Sequence, residues 1–359
     1  MQRPEAAAVL PMAEVEATAD AIAAVQLPDG SIPWFPGGQM DPWNHVEALM
    51  ALDVCDRTAS AERGYIWLID HQRPDGAWHA YYRDGQVIDA TLDTNVSTYV
   101  ATGAWMHHLA TADDDLLARL WPAVEAAVEF ALRLQLPSGA ISWACDSRGR
   151  GWPRGLLAGS SAVHLSLRCA VHVGAVLGHF RPRWVAAANR LAQAIRHQPE
   201  AFEPKHRWAM DWYYPVLGGA LAGDGAEARL GRRWEEFVVP GQGVRCVADR
   251  PWVTAAETCE LAMALVQLDK WSQAAGLVEW AQHLRGDDAA YWTGANYDDG
   301  TRYPEEQPTW TSAAVVLAAD ALAGGPTADL LRAGQAGAPG SGAAQDPERP
   351  LSADLFEVT

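Results

Sequence analysis

One short phrase occurs three times in the chain, and this repeat constrains the fold more than any other feature. Its form is Gln-x-Pro-Asp/Ser-Gly, and its copies are Gln26–Gly30, Gln72–Gly76 and Gln135–Gly139. Pro presets φ and Gly accepts positive φ, so each copy predicts a tight turn. Each turn lies between two helix-like stretches. A helix–turn–helix unit therefore recurs at intervals of roughly 50 residues, which predicts a ring of helical hairpins with a site in its hole.

Twelve helix-like segments alternate between amphipathic and almost wholly apolar sequence. They cover about 12–26, 43–53, 60–71, 93–108, 115–134, 160–178, 182–197, 211–222, 227–237, 254–268, 270–284 and 309–323. A helix that is apolar all round is buried on every side. The alternation therefore predicts an all-α fold, an (α/α)6 toroid in which six inner and six outer helices form six hairpins.

The predicted toroid is a catalytic domain that spans residues 1–323. Residues 324–359 are rich in Gly, Ala and Pro, and we expect them to form a largely disordered tail. Any short helix at 327–333 is expected to be a surface appendage.

Charge and cysteine usage exclude several classes of partner and location. The net charge of −18 argues against nucleic acid and against anionic membrane surfaces. The five cysteines are scattered and lack a Cys-x-x-Cys pair, which is typical of reduced thiols in a cytoplasmic protein. The sequence shows no signal-peptide pattern and no apolar run near ~18 residues, so no membrane span is expected. The oligomeric state stays open.

Acidic and aromatic residues are concentrated where the apolar helices begin. Helix N-termini carry unpaired N–H groups and partial positive charge, and in a ring they meet at one mouth. The chain has 17 Trp against 6 Phe, and Trp offers a sugar both an apolar face and an N–H donor, although each Trp can equally be hairpin core. The candidate substrate-binding residues are Trp34, Trp43, His45, Trp78, Tyr82, Asp93, Asn95, Trp152, Arg154, Asp211, Trp212, Tyr213, Trp252, Trp292, Tyr303 and Trp310.

Two carboxyl groups on different inner helices are the candidate catalytic pair. Glycoside hydrolysis needs one carboxylic acid and one carboxylate, about 6.5–9.5 Å apart in inverting enzymes. Asp41 is the predicted base, although its place before Pro42 also suits a helix N-cap. Glu257 and Glu260 interrupt an apolar helix, where burial favours the protonated form that a general acid needs. Glu257 is the predicted acid, Glu260 and Glu305 are alternatives, and a structural hydrogen-bonding role stays open.

Other chemistries find less support. No serine stands in a Gly-x-Ser-x-Gly frame, and the glycine-rich loops lack phosphate-binding spacing. His45, His107 and His108 lack metal-ligand spacing with a third group. The sequence therefore predicts neither a metal nor a cofactor.

A local stretch resembles the QW repeat of squalene–hopene-type terpene cyclases, which are also helical toroids. The matching residues are Arg63-Gly64, Trp67-Leu68, Gln72, Gly76 and Trp78. The Asp-x-Asp-Asp acid motif of those cyclases is missing, since the nearest run, 113–115, lies on a polar connection. There is also no Asp-Asp-x-x-Asp motif for diphosphate-bound magnesium. The resemblance implies a toroid and leaves a cyclase or prenyltransferase-like enzyme as an alternative.

Residues 12–323 resemble the (α/α)6 glycoside hydrolases more broadly. Within these, the segment Asp41–Glu47 and the helix that contains Glu257 are similar to the actinobacterial methylmannose polysaccharide hydrolases, which are intracellular α-endomannosidases. The resemblance implies Asp41 and Glu257 as the catalytic pair and carbohydrate as the substrate. We therefore expect an inverting hydrolase of an α-linked glycan, with a glycan-binding toroid that lacks catalysis as a further alternative.

Overall fold

Helices dominate the computed structural model, which describes residues 9–146 and 148–335. They are α1 Met12–Val25, α2 Pro42–Val54, α3 Thr58–His71, α4 Thr94–Thr98, α5 Val100–Thr111, α6 Asp114–Arg133, α7 Leu157–Val176, α8 Pro182–His197, α9 Ala209–Leu217, α10 Gly223–Arg232, α11 Trp234–Phe237, α12 Ala255–Val266, α13 Trp271–Ala281, α14 Thr309–Ala323 and α15 Pro326–Gly334. Two 3₁₀ turns cover Pro199–Ala201 and Gln282–Leu284.

Six helical stretches form a closed inner ring. These are α2, α4 with α5, α7, α9, α12 and α14; each packs against the next, and α14 packs against α2 to close the ring. Around them lie α1, α3, α6, α8, α10 and α13. Every residue of the inner helix α12 is buried, whereas the outer helix α8 buries a single stripe. The predicted (α/α)6 toroid is confirmed.

The three repeated turns join neighbouring outer helices through the glutamine side chain. Gln26 Nε2 donates to the carbonyls of Gly30 and of Ser60 on α3, both at 2.9 Å. Gln72 and Gln135 make the same pair of bonds, to Gly76 with Ala123 on α6 and to Gly139 with Ala187 on α8. We call these three arrangements the turn contacts.

Glycine is required in the turn contacts because the next outer helix passes directly against the turn. Gly30 has a φ of 96°, in the left-handed region. A Cβ atom on Gly30 would lie 2.3 Å from the carbonyl oxygen of Arg63 on α3. Backbone atoms cannot move aside as a flexible side chain can, so any larger residue would separate the two hairpins.

A fourth turn of the same shape joins the last outer helix to the first, and the sequence analysis missed it. Residues 285–291 close with an isolated bridge between Arg285 and Tyr291. Ala289 stands in the place of the glycine with a φ of 66°. Its carbonyl accepts a hydrogen bond of 2.9 Å from Thr18 Oγ1 on α1. The ring is thus closed by the same kind of turn without its glutamine, proline and glycine.

The helix α15 closes the end of the ring opposite the mouth. It follows α14, which begins at the mouth, and packs against α5, α7 and α14. Leu330 and Leu331 are each only 3% exposed. The Arg168 guanidinium of α7 donates to the Gln335 carbonyl at 3.1 Å. The prediction of a surface appendage is therefore wrong, and the domain extends beyond residue 323; the predicted disorder of 336–359 lies outside the described residues.

Short antiparallel strands line the mouth, where the connections enter the inner helices. They are β1 Tyr81–Arg83, β2 Gln86–Asp89, β3 Leu92–Asp93, β4 Ala144–Cys145, β5 Val238–Val239, β6 Gly243–Arg245, β7 Trp252–Thr254 and β8 Gly294–Asn296. β1 pairs with β2, β3 pairs with β4, and β5–β6–β7–β8 form one sheet. β3 leads into α4 and β7 leads into α12.

No single helix in the described part of the chain is long and apolar enough to cross a membrane. The bent pair α14 and α15 passes this test of length and composition only when both helices are taken together.

The turn contacts predict opposite effects of two substitutions. Gly30→Ala should lower the free energy of unfolding by at least about 2 kcal/mol, because it adds backbone strain and a clash with α3. Ala289→Gly should raise it by about 0.5–1 kcal/mol, because glycine relieves the left-handed strain. Urea denaturation measures both. Gly241→Ala is the control, since Gly241 has a φ of 76° and open space around it. Equal losses for Gly30→Ala and Gly241→Ala would refute the packing argument.

Candidate active site

The Asp41 carboxylate is held at the start of α2 by three hydrogen-bond donors. Asp41 is 3% exposed, and its Oδ1 accepts from the Asn44 backbone N–H at 3.0 Å. Its Oδ2 accepts from Trp34 Nε1 at 2.8 Å and from Asn44 Nδ2 at 2.7 Å. Burial raises the pKa of Asp41, and these hydrogen bonds oppose the rise. The N-cap role is confirmed, and it fixes a carboxylate at the mouth.

Glu257 and Glu260 lie one turn apart on α12 and have different partners. Glu257, in the first turn, accepts a hydrogen bond from Thr254 Oγ1. Glu260 lies deeper in the ring, where the hydroxyl groups of Tyr213 and Tyr214 both donate to its carboxyl group. Burial and the Glu257 charge raise the pKa of Glu260 to about 8. Glu257 is therefore the residue nearer the mouth, whereas both carboxyl oxygens of Glu260 accept hydrogen bonds from tyrosine hydroxyl groups.

Glu47, which the sequence analysis did not single out, faces Glu260 across the ring. It lies on α2, and its Oε1 accepts from Trp43 Nε1 at 2.9 Å and from the Tyr99 hydroxyl at 3.3 Å. Burial, together with the Glu260 charge, raises the pKa of Glu47 well above its ordinary value. We name Glu47, Tyr99, Tyr214 and Glu260 the floor cluster, because it lies below the mouth carboxylates.

A cavity of about 40 Å³ lies beneath the floor cluster and above α15. Its lining is apolar apart from the floor cluster and Thr327. A volume of this size with several polar partners can hold water. The mouth carboxyl groups and the floor cluster are coupled electrostatically, because Glu257 acts on Glu260, and both Glu260 and Asp41 act on Glu47.

Three more predicted polar residues lie at the starts of two other inner helices, α4 and α9. Asp93 caps α4 by accepting from the backbone N–H groups of Asn95 and Val96, and burial raises its pKa to about 6. The buried Asn95 Oδ1 has no partner. Asp211, on α9, accepts from the Ala158 N–H at 3.3 Å, and burial raises its pKa. These contacts with backbone N–H groups give Asp93 and Asp211 a structural role. Asn95 Oδ1, in contrast, can accept a hydrogen bond from a ligand.

Several predicted aromatic residues lie at the mouth with part of their rings accessible. Trp43 contacts Tyr99 and Tyr214 with ring centroids 5.8 and 6.1 Å apart, so it covers the floor cluster. The buried Nε1 atoms of Trp252 and Trp310 have no partner.

The outermost predicted residues are more exposed. Trp152 is 42% exposed and Tyr303 is 71% exposed. Trp292 carries the Arg302 guanidinium on its ring, and Arg154 pairs with Glu203 at 3.7 Å.

Five predicted binding residues are instead structural. Trp78 is fully buried because it occupies the core position that Ile32 and Ile141 fill in the other turns. Trp212 stacks on Phe237 and is likewise core. The remaining three are His45, Tyr82 and Tyr213.

The polar atoms of these three residues are already occupied by protein groups. His45 Nδ1 accepts from the Ile32 N–H, its Nε2 donates to the Gly64 carbonyl, and burial lowers its pKa to about 4. The Tyr82 hydroxyl accepts from the His79 N–H at 3.0 Å. We call the hole of the ring, from the mouth down to the floor cluster, the pit. Tyr213 is fully buried beneath the pit, where its hydroxyl donates to Glu260. The three side chains therefore support the site from behind and do not line it.

Among the described residues, no group of three or more His, Cys, Asp or Glu is placed to hold a metal ion.

The alternative acid Glu305 is exposed on the loop before α14.

Sequence comparison assigns the family. No protein-family model matches the chain. An MMP endo-(1,4)-3-O-methyl-α-D-mannosidase of Mycolicibacterium hassiacum is 49% identical over 314 residues, which cover 88% of this chain and 87% of that enzyme. The chain belongs to this family of glycoside hydrolases. The family predicted from the Asp41–Glu47 segment and the Glu257 helix is confirmed.

Solved structures share the fold at low sequence identity. A D-mannose isomerase has a TM-score of 0.70 at 12% identity, covering 87% of this chain and 96% of that chain. A wild-type glycosidase has a TM-score of 0.67 at 15% identity, with coverages of 93% and 99%. A GH63 mannosylglycerate hydrolase of Thermus thermophilus has a TM-score of 0.64 at 12% identity, with coverages of 84% and 99%. Since an isomerase and two hydrolases share it, the toroid alone does not fix the reaction.

The raised pKa of Glu260 predicts a pH-dependent stability. A carboxyl group that titrates near 8 when folded, and near 4.5 when unfolded, contributes stability below 4.5 that is lost as the pH rises through 8. Gln cannot ionise, so Glu260→Gln should not lose this stability. Relative to the wild type, its free energy of unfolding should therefore increase by about 1–3 kcal/mol as the pH rises from 4.5 to 8. Chemical denaturation at pH 5, 7 and 9 measures the difference. The exposed control Glu305→Gln should follow the wild type, and parallel behaviour of Glu260→Gln would contradict the assignment.

Proposed function

We propose that the protein is an inverting, endo-acting α-mannosidase that cleaves a 3-O-methylated α-(1→4)-mannan. Support for the substrate comes from the 49% identical relative, whose name states this linkage and modification. All five cysteines are buried and free, which supports a reducing cytoplasmic location. The single observation that carries the reaction is a pair of buried carboxyl groups, Asp41 and Glu257, at the mouth ends of two inner helices.

The two carboxyl groups approach the substrate from separate walls of the pit. One inner helix, α14, separates α2 from α12 in the ring. Glu257 gives its proton to the glycosidic oxygen of the leaving sugar. Asp41 takes a proton from a water molecule that attacks the anomeric carbon on the opposite face, so the configuration inverts. Three hydrogen bonds to Asp41 favour its ionised form, as a base requires.

The remaining polar and aromatic groups at the mouth bind the glycan. Trp43 offers a ring face above the floor cluster, against which an apolar sugar face packs. The unpartnered Asn95 Oδ1 and the indole N–H groups of Trp252 and Trp310 pair with hydroxyl groups. The exposed rings of Trp152 and Tyr303 lie farther out, as expected for an enzyme that holds several sugars of a chain on both sides of the cleaved bond.

Substitution of the two carboxyl groups tests these roles. Asp41→Asn and Glu257→Gln should each lower kcat by about 10²–10⁴-fold without a matching loss of thermal stability. The assay follows products by mass spectrometry on methylated and unmethylated α-mannosides and on α-glucosides. Glu305→Gln is the matched control and should retain wild-type turnover. Full activity of folded Asp41→Asn or Glu257→Gln would remove that residue from the mechanism.

The cyclase alternative finds no support beyond the repeat. Of the QW-like residues, Gln72 and Gly76 form one of the turn contacts, which holds the outer helices α3 and α6 together. A toroid that binds glycans without catalysis predicts binding of methylated mannan with no product in the same assay.

A further inference from the structure

We propose that Trp34 and Asn44 are positioning residues that hold the Asp41 carboxylate in the orientation needed to accept a proton from water. The inference rests on the proposed function, in which Asp41 is the base. From the sequence, Trp34 is predicted to bind the sugar. The structure instead directs its only side-chain donor to Asp41 Oδ2 at 2.8 Å.

The hydrogen bonds around Asp41 fix the plane of its carboxylate. Trp34 Nε1 and Asn44 Nδ2 both donate to Oδ2, at 2.8 and 2.7 Å, while the Asn44 backbone N–H donates to Oδ1. Each carboxylate oxygen has about two acceptor positions. The two side-chain donors therefore occupy Oδ2, and the remaining acceptor capacity lies on Oδ1. Rotation of the carboxylate would break all three bonds, so Oδ1 stays directed to one place.

Trp34 is itself fixed by the junction between the first and last inner helices. Its carbonyl accepts from the Thr309 N–H at 2.6 Å, and the Thr309 hydroxyl donates to the Pro33 carbonyl at 2.9 Å. Its ring lies edge-on to Trp310 and to Tyr81, with centroids 5.9 and 6.1 Å away. Thr309 begins α14, while Asp41 caps α2. Closure of the ring therefore fixes the position from which the Trp34 indole N–H donates to Asp41.

The titratable groups that face Asp41 in the described part of the chain are acidic. They are Asp93 before α4, Glu47 in the second turn of α2, and Tyr81 on β1. Burial raises the pKa of Tyr81 to about 12, and burial together with the Glu260 charge raises the pKa of Glu47 well above its usual range. A phenol and a carboxyl group carry no positive charge in either protonation state, so neither favours ionised Asp41 electrostatically. The donors Trp34 and Asn44 are thus the main groups that favour ionised Asp41. Removing one should make Asp41 take up a proton at a higher pH.

The test compares pH profiles of Trp34→Phe and Asn44→Ala on a 3-O-methylated α-(1→4)-mannan oligosaccharide. Each variant should lower kcat about tenfold or more, with KM within about twofold, because the interaction lost acts on the base. The acidic limb of kcat/KM should move up by about one pH unit, which corresponds to about 1.4 kcal/mol. Asn44→Ala keeps the assay informative if Trp34→Phe fails to fold, since alanine suits a helix.

Trp105→Phe is the matched control. Its indole N–H has no partner, and the ring stacks on His108 and His172. This variant should leave the pH profile unchanged. A loss of rate without a shifted acidic limb in either test variant would mean a merely structural role and would overturn the inference. If Asp41→Asn, assayed alongside, keeps wild-type turnover, the proposed function fails; if only Asp41→Asn is inactive, the positioning inference alone fails.

Discussion

The contact between each turn and the next outer helix is the interaction on which the remaining structure depends. A glutamine amide joins its own glycine carbonyl to a carbonyl of the neighbouring hairpin, and the missing Cβ lets the two backbones touch. Repetition of this contact sets the angle between hairpins and closes the ring. Only a closed ring brings Asp41, near the start of the chain, into one pit with Glu257, more than 200 residues later.

The architecture was predictable because two independent signals agreed. Turn chemistry marked the hairpins, and the alternation of apolar and amphipathic helices marked the two rings. The turn around Ala289 was missed because its contact depends on backbone shape, which a sequence with arginine and alanine in place of the repeated glutamine and glycine does not reveal. The burial of α15 was not predicted because Gly and Ala around it outweigh Leu330 and Leu331, whose burial depends on the hole they cover.

The site was predictable only at the mouth, where the inner helices begin. Asp41 and Asp93 were found because carboxylates that cap apolar helices lie at the mouth. Glu47 was missed because nothing in the sequence shows that Glu47 and Glu260 lie across the ring from each other. Trp78 and Trp212 were misassigned because position in the sequence alone does not say whether an indole points to the pit or into the core. The role of Trp34 was not predictable, because it depends on the 2.8 Å hydrogen bond between its Nε1 and Asp41 Oδ2.

Stereochemistry tests the central claim, that two carboxyl groups act from opposite walls of one pit. Proton NMR can follow the anomeric signal of the first product formed from a 3-O-methylated α-(1→4)-mannan oligosaccharide, before mutarotation. The account predicts the β-anomer first, because water attacks the face opposite the leaving sugar. Initial release of the α-anomer would show that a carboxylate attacks the sugar directly, and it would contradict the assignment of Asp41 as a base.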